Sequence, residues 1–347
     1  MIDTLFYDGA KLLSLKDADG KKPEIYICTS NRNAGKTTYF SRLLVKRFKK
    51  KKEKFILIYR YNYELFDCAE KFFNDIKGLF FQSDKMNSKT KGKGVYSELY
   101  LNDKLCGYAI ALNNADQIKK FSHLFNDCTA GLFDEFQSEN NNYCANEIQK
   151  FLSVHTSIAR GNNKQVRYFP VYMISNFVSL INPYYNALKI GYRLQSDTKF
   201  LRGSGWVLES GFNESAAAGI IESGFGRAFA GHDYINYAAQ KVYLNDNHTF
   251  IEKPETAGRY IAGLVYNGET YHISEHQTEG IIYVSPGLDK THSLTIAVTT
   301  ADHKENFIML NNKIALITSI RNYFNLGLCR FKDLNCKEAF FALISYQ

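Results

Sequence analysis

EIYICT, SNRNAGKT and TYFSRLLVKRFKK, which together make residues 24–50, decide the fold. Glu24 to Thr29 is rich in β-branched and aromatic residues and predicts a short buried strand. Lys36 to Lys50 carries Phe40, Leu43, Leu44 and Phe48 at helical spacing. Between them runs Ser30-Asn31-Arg32-Asn33-Ala34-Gly35-Lys36-Thr37, with Thr38 following. A turn that ends a strand and opens a helix can wrap phosphates in main-chain N–H groups. In the pattern GxxxxGK[ST] the lysine reaches the β- and γ-phosphates and the hydroxyl ligates Mg²⁺. Those roles fall to Lys36 and Thr37, whereas the leading glycine is replaced by Ser30. By this loop alone, a helix N-terminus with a chance Gly-Lys-Thr reads alike.

Farther along, Gly131-Leu132-Phe133-Asp134-Glu135-Phe136 ends an apolar run in two acids. Asp134 is placed to hold Mg²⁺, and Glu135 to polarise an attacking water as general base. Taken alone, two such acids also fit a solvated loop; the order loop, then acidic strand end, joins the two motifs into one site. No DxxG in a switch position and no NKxD marks a GTPase, so the expected nucleotide is ATP. Ser175 and Asn176 follow the strand Tyr168 to Ile174, where polar residues can sense a γ-phosphate or simply cap a turn before Pro183. Two arginines are candidates for stabilising transition-state charge, a contribution of about 10³–10⁵ in rate. Arg32 lies within the phosphate loop and would act in cis. Arg160 ends the helix Asn146 to Arg160 and would reach a neighbouring subunit, unless it only complements the helix C-terminus.

Outward from these motifs, strand-like and helix-like segments alternate, which predicts an α/β fold with a mainly parallel sheet. Phe55 to Tyr59 and Ala130 to Phe133 read as strands, and Tyr63 to Phe73 as a helix. Val95 to Leu101 and Leu105 to Leu112 flank an Asn102-Asp103-Lys104 hairpin turn. Helix 146–160 is read with Ile148, Leu152 and His155 on one face, and Pro170 argues against a central place for its strand. Glycines crowd the stretch from Gly203 to Gly231, then strands dominate, at Tyr260 to Tyr266, Ile281 to Ser285 and Leu294 to Thr299. The expected division is 1–200, 201–248 as a linker, and 249–347.

The chain has 347 residues and a formal charge of +8, which favours an anionic partner. Basic residues concentrate from Lys46 to Lys54 and in a loop-like stretch with Lys85, Lys89, Lys91 and Lys93; each also fits a solvated surface. Seven cysteines without a CxxC pair indicate neither a disulfide framework nor a zinc ribbon. His272 and His276 have the i, i+4 spacing of metal ligands on a helix, but Ile273, Ser274 and Glu275 between them do not make HExxH and the surroundings read as strand, so no metal is expected there. No membrane span and no signal peptide are read, so the expected location is the cytoplasm.

Several stretches together resemble the DNA-packaging ATPases of φ29-like phages. They are LFYDGAKLLS (5–14), the phosphate loop, FILIYRYNYEL (55–65), LFDEFQSENNNY (132–143) with NEI (146–148), ISNF (174–177) with INPYY (181–185), FGRAFAGHDY (225–234), TFIEK (249–253) and LVYNGET (264–270). The resemblance implies an ASCE-type P-loop ATPase domain, a small linker domain and a C-terminal RNase H-like α+β domain. It also implies a homopentameric ring in the host cytoplasm, transiently at the procapsid portal (connector), docked on a structural RNA and threading double-stranded DNA. On this resemblance Lys36, Asp134 and Glu135 take the lysine, magnesium and catalytic roles, and Arg160 that of the trans-acting arginine. The family's regulatory lysine is Asn62 here, while Arg60 beside it is kept.

A working RNase H-like nuclease needs carboxylates on its central strands to hold two metals. YIAGLVY (260–266) carries none, Ile281 to Ser285 ends in serine, and Glu269 and Asp289 are read as lying outside the strands. The expectation is therefore a translocating ATPase that does not cut. Its rivals are a terminase that also cleaves DNA, another P-loop translocase, helicase or nucleotide kinase, and a nucleic-acid-binding module with a decayed loop.

Overall fold

In the computed structural model the described residues are 6–140, 142–160, 165–180, 182–190, 193–194, 198–239, 250–289, 291–305, 307–309 and 314–344. They fall into two compact units, Met1–Asn245 and Asp246–Gln347.

The first unit is built on a nine-stranded sheet. Its strands are β1 (Ile25–Thr29), β2 (Lys54–Tyr59), β3 (Met86–Lys91), β4 (Tyr96–Leu101), β5 (Lys104–Ala111), β6 (Cys128–Asp134), β7 (Val171–Ser175), β8 (Phe200–Gly203) and β9 (Trp206–Ser210). They lie in the order β3-β4-β5-β2-β6-β7-β1-β9-β8. The run from β5 to β9 is parallel, with β4 and β3 antiparallel at one edge and β8 at the other. The helices are α1 (Ala10–Ser14), α2 (Lys36–Lys51), α3 (Cys68–Phe80), α4 (Ala115–Ile118), α5 (Glu147–Ile158) and α6 (Pro183–Ala187), then α7 (Glu214–Glu222), α8 (Gly224–Ala228) and α9 (Asp233–Ala239).

Successive strand residues point to opposite faces, and each face meets its own helices. Tyr26, Cys28, Leu57, Leu132 and Ile174 pack with Phe40, Leu44 and Phe48 of α2 and Phe72 and Phe73 of α3. Ile27, Ile58, Phe133 and Met173 pack with Phe151, Val154 and Ile158 of α5 and Tyr184 of α6. Each of these large apolar side chains contributes about 1.5–3 kcal/mol by leaving water. The mainly parallel α/β fold expected from the alternating pattern is the fold observed.

Several local expectations are corrected. The core face of α5 is Phe151, Val154 and Ile158, whereas Leu152 is 54% exposed. Tyr63 does not open a long helix: Asn62–Leu65 is a single 3₁₀ turn, and α3 starts only at Cys68. β7 is central despite Pro170, because the proline precedes the strand and only its carbonyl is used, by Gly131 N. The basic stretch near Lys89 is not a loop but the edge strand β3, paired along β4. Exposed lysines there also discourage edge-to-edge pairing. The glycine-rich stretch does not begin as a linker, since β8 and β9 continue the sheet and β9 pairs with β1. Its junction near 248 lies outside the described residues. The hairpin turn is as expected: Asn102 and Asp103 take φ of 49° and 62°, the left-handed pair of a type I′ turn.

In the second unit, β10 (Arg259–Tyr266), β11 (Glu269–His276) and β12 (Ile281–Pro286) form an antiparallel meander. β13 (Thr295–Ala297) adds parallel to β10, β14 (Ile308–Met309) parallel to β13, and β15 (Cys329–Phe331) parallel to β12. An antiparallel meander extended by parallel strands beside its first member is the RNase H-like arrangement. α10 (Ile314–Asn325) and α11 (Leu334–Ile344) supply Ile317, Ile320, Phe340 and Leu343 to a core with Ala262, Leu264, Ile273 and Val284. The other sheet face carries Tyr260, His272, Ser274, His276, Tyr283 and Ser285 around an open cavity of about 490 Å³. Glu269 begins β11 rather than lying outside the strands, and Glu275 within β11 is engaged by Arg259 and Tyr323. Among the described residues no helix is long and apolar enough to cross a membrane, and no group of three His, Cys, Asp or Glu is placed to hold a metal.

Candidate nucleotide site

The C-terminal ends of β1, β6 and β7, neighbours in the sheet, bring the expected residues together. The loop after β1 turns through left-handed backbone at Asn33 (φ 58°) and Gly35 (φ 92°), and Gly35 caps α2. A side chain at Gly35 would strike the Phe6 ring, with 2.8 Å from an added Cβ to the nearest ring atom. Ser30 explains why the pattern's first glycine is dispensable here: it is not among the positive-φ residues. Its hydroxyl instead accepts a hydrogen bond from Lys36 Nζ at 2.8 Å.

Lys36 is 6% exposed. Its ammonium donates to Ser30 O (3.2 Å), Asn31 O (3.1 Å) and Asn176 Oδ1 (3.1 Å) as well. Burial holds its pKa down to about 8. Thr37 Oγ1 donates to Asp134 Oδ2 at 2.8 Å, which joins the two expected magnesium ligands. Burial pushes the Asp134 carboxyl up to about 6, with nearby Glu135 adding to the shift and the Thr37 hydrogen bond opposing it. Glu135 is exposed and left-handed (φ 54°), and its N–H donates to Asp134 Oδ1 at 2.9 Å. Ser175 ends β7, accepts from Ser30 N at 3.4 Å and donates its hydroxyl to Asn176 O at 2.9 Å. Ala34 is buried, its carbonyl accepting from Tyr7 N at 2.7 Å.

The two arginines part company. The Arg32 guanidinium is paired with Glu139 and lies over the rings of Tyr234 (5.4 Å) and Tyr237 (5.8 Å) of α9. Tyr237 donates to the same Glu139 oxygen at 2.6 Å. Asn31 exchanges two side-chain hydrogen bonds with the main chain of Asn213, which caps α7. The phosphate loop is thereby tied to the helices after the sheet, a link that the glycine-rich texture of their sequence hid.

Arg160 is not brought to the site. It lies two residues beyond α5 and is exposed. Arg167, bonded through its N–H to Ala159 O, also reaches Cys128 O at the start of β6. Lys36 and Asp134 lie at the other end of that seven-residue strand, about 20 Å away at ~3.3 Å per residue. Asn162 and Asn163, the polar loop after Arg160, fall outside the described residues.

Beside Thr38, a cavity of about 280 Å³ is lined by Phe6, Tyr7, Asp8, Tyr39, Arg42 and Phe80. Arg60 and Glu147, unremarked as a pair in the sequence, form a buried ion pair behind Glu135, with Nε–Oε distances of 2.9 and 3.1 Å. Their separation of 87 positions leaves no periodic or motif signal.

Known proteins match this chain along its length. The family model for the Podovirus DNA encapsidation protein (Gp16) matches residues 1–347. The DNA packaging proteins of Bacillus phages PZA and phi29 are each 27% identical over 316 residues, covering 90% of this chain and 88% of theirs. A solved structure, the bacteriophage Phi-29 viral genome packaging motor assembly, superposes with a TM-score of 0.66 at 24% identity, covering 98% of this chain and 99% of that one. With its full length matched and its phosphate loop, acidic strand end and RNase H-like unit in the order described, the chain belongs to the Podovirus DNA encapsidation (Gp16) family.

Proposed function

We propose that this packaging protein works by hydrolysing ATP with Mg²⁺, as a ring of identical subunits that drives double-stranded viral DNA through the portal of a preformed procapsid. The observation that carries the reading is the convergence of Lys36, Thr37, Asp134 and Asn176 on one loop at the C-terminal ends of the central parallel strands. A buried ammonium and left-handed N–H groups suit a triphosphate, and the Thr37–Asp134 pair supplies hard oxygen donors suited to Mg²⁺. When bound, Mg²⁺ would neutralise charge on the β- and γ-phosphate oxygens. Glu135, standing free of the Thr37–Asp134 bond, would orient the attacking water and take its proton. The cavity beside Thr38, walled by Phe6, Tyr39 and Phe80, suits a planar purine. Arg160 would complete a neighbour's site, since its own is a strand's length away. This is ATP-driven DNA packaging in the host cytoplasm, transiently at the portal vertex.

The decisive experiment mixes purified protein, procapsids, DNA and ATP, then measures DNA protected from added nuclease. ATP-dependent protection is expected, and its absence with active procapsids would sink the proposal. The ring size of five and docking on a structural RNA are read from the resemblance.

We further propose that the working parts are the sheet-based ATPase domain, the helices α7 to α9 as linker, and the second unit as a nucleic-acid surface. Lys85, Lys89, Lys91 and Lys93, exposed on the β3 edge and its turn, are offered as phosphate contacts that do not read sequence. In the second unit, the face free of the core helices stacks Tyr260 on His292 (4.5 Å between centroids) and on His272 (5.7 Å). Asp289 at its rim is tied to Thr291 and His292. In a plasmid nicking assay with Mg²⁺ or Mn²⁺ we expect no cleavage. Cleavage abolished by Asp289→Ala would establish the terminase-type alternative.

The lowered Lys36 pKa makes a separate prediction. Phosphate binds the charged form, so in Mg²⁺-free buffer the affinity for ATP holds constant below about pH 8. Above it, affinity falls as the ammonium loses its proton, approaching tenfold per pH unit. Titration of a fluorescent ATP analogue from pH 6.5 to 9.5 reads the slope, and Lys36→Met should flatten it.

A further inference from the structure

The structure assigns Arg60 and Glu147 a positioning role in ATP hydrolysis: their buried ion pair holds the main chain of Glu135 and Phe136, and so aims the Glu135 carboxylate. The assignment rests on the reading of Glu135 as the residue that orients water.

Arg60 follows β2, the strand beside β6, so its side chain lies behind the turn that leaves Asp134. Its Nε donates to both Glu147 oxygens. The rest of the guanidinium donates to Phe136 O at 2.7 Å and Glu135 O at 3.4 Å. The group is gripped between the rings of Tyr143 (4.9 Å) and Phe133 (5.5 Å). Glu147 in turn accepts from the Tyr184 hydroxyl at 2.7 Å and Cys144 N at 2.8 Å. Arg60 is 8% exposed and Glu147 3%, so neither contacts solvent as a surface pair would.

A non-glycine residue in left-handed backbone persists only where its surroundings over-determine it. Glu135 is such a residue. On its N–H side it is fixed by Asp134 Oδ1, and the next N–H, that of Phe136, donates to Ile174 O at 3.3 Å. On the carbonyl side the donors are those of Arg60. Stability alone does not call for this pair, because apolar side chains of similar volume often replace a buried ion pair without loss. Such side chains cannot donate to two carbonyls, and that difference is what the geometry uses.

The test is the double variant Arg60→Met/Glu147→Leu, with cooperative melting as the check of folding. Nucleotide affinity, read with a fluorescent ATP analogue, should stay within about threefold of wild type, because Lys36, Thr37 and Asp134 are untouched. The kcat for DNA-stimulated hydrolysis should fall about 10²-fold with KM nearly unchanged, the scale of a misplaced catalytic group. Adding Glu135→Gln to the double variant should cost nothing beyond Glu135→Gln alone, since Arg60 acts through Glu135. Should the double variant not fold, the near-isosteric Glu147→Gln carries the same comparison. Wild-type kcat in a folded variant, or losses that add to those of Glu135→Gln, would overturn the assignment. Wild-type turnover by Glu135→Gln itself would instead overturn the reading of the base on which it rests.

Discussion

Glu135→Gln should lower DNA-stimulated ATP turnover by about 10²–10⁴-fold while leaving nucleotide affinity near wild type. The separation follows from geometry. The groups read as holding phosphate and metal are Lys36, Thr37 and Asp134, linked by contacts in which the Glu135 side chain takes no part. The Glu135 carboxylate stands exposed beyond them, and only its N–H touches Asp134. Glutamine keeps shape and loses the ability to take a proton. Phosphate release measured beside analogue binding gives both quantities. Equal loss of binding and turnover would show that Glu135 supports the pocket rather than the chemistry.

Arg160→Ala is expected to cost about 10³–10⁵ in turnover, with the loss repaired by a neighbour. Because Arg160 lies at the far end of β6 from Lys36, no side-chain motion brings it to its own phosphates. Mixed oligomers make the test. Arg160→Ala subunits keep a complete Glu135, and Glu135→Gln subunits keep a complete Arg160. Where an Arg160→Ala site faces an intact arginine, turnover returns, so mixtures should exceed the sum of the two inactive parents. Mixed rings shown by crosslinking to contain both variants, yet inactive, would remove Arg160 from this role. Arg32 is the control: its guanidinium is engaged by Glu139 and two tyrosines within the same chain. Arg32→Ala should therefore show no recovery on mixing.

Local features were legible in the chain itself. The strand 24–29, the loop to Thr37 and helix α2 obey short-range rules, in which apolar spacing, a left-handed glycine and a helix N-terminus each declare themselves within a few residues. Asp134 and Glu135 end a run that can only be a buried strand, and Asn102-Asp103 names its own turn. The resemblance to the packaging ATPases added order and partners, and it marked Arg160, whose spacing alone left a helix-end role open.

Tertiary structure decided what depends on contacts between distant positions. It put β9 beside β1 although glycines surround it, and made β7 central because Pro170 stops one residue short of the ladder. It turned a lysine-rich segment into an edge strand. It joined Arg60 to Glu147, and Arg32 to Glu139 and Tyr237, across 87 and more positions. Composition and periodicity report which side chains must leave water, but not which partner each meets once buried. That choice is made by the order of strands in the sheet, and here it determined which residue stands behind the turn that leaves Asp134.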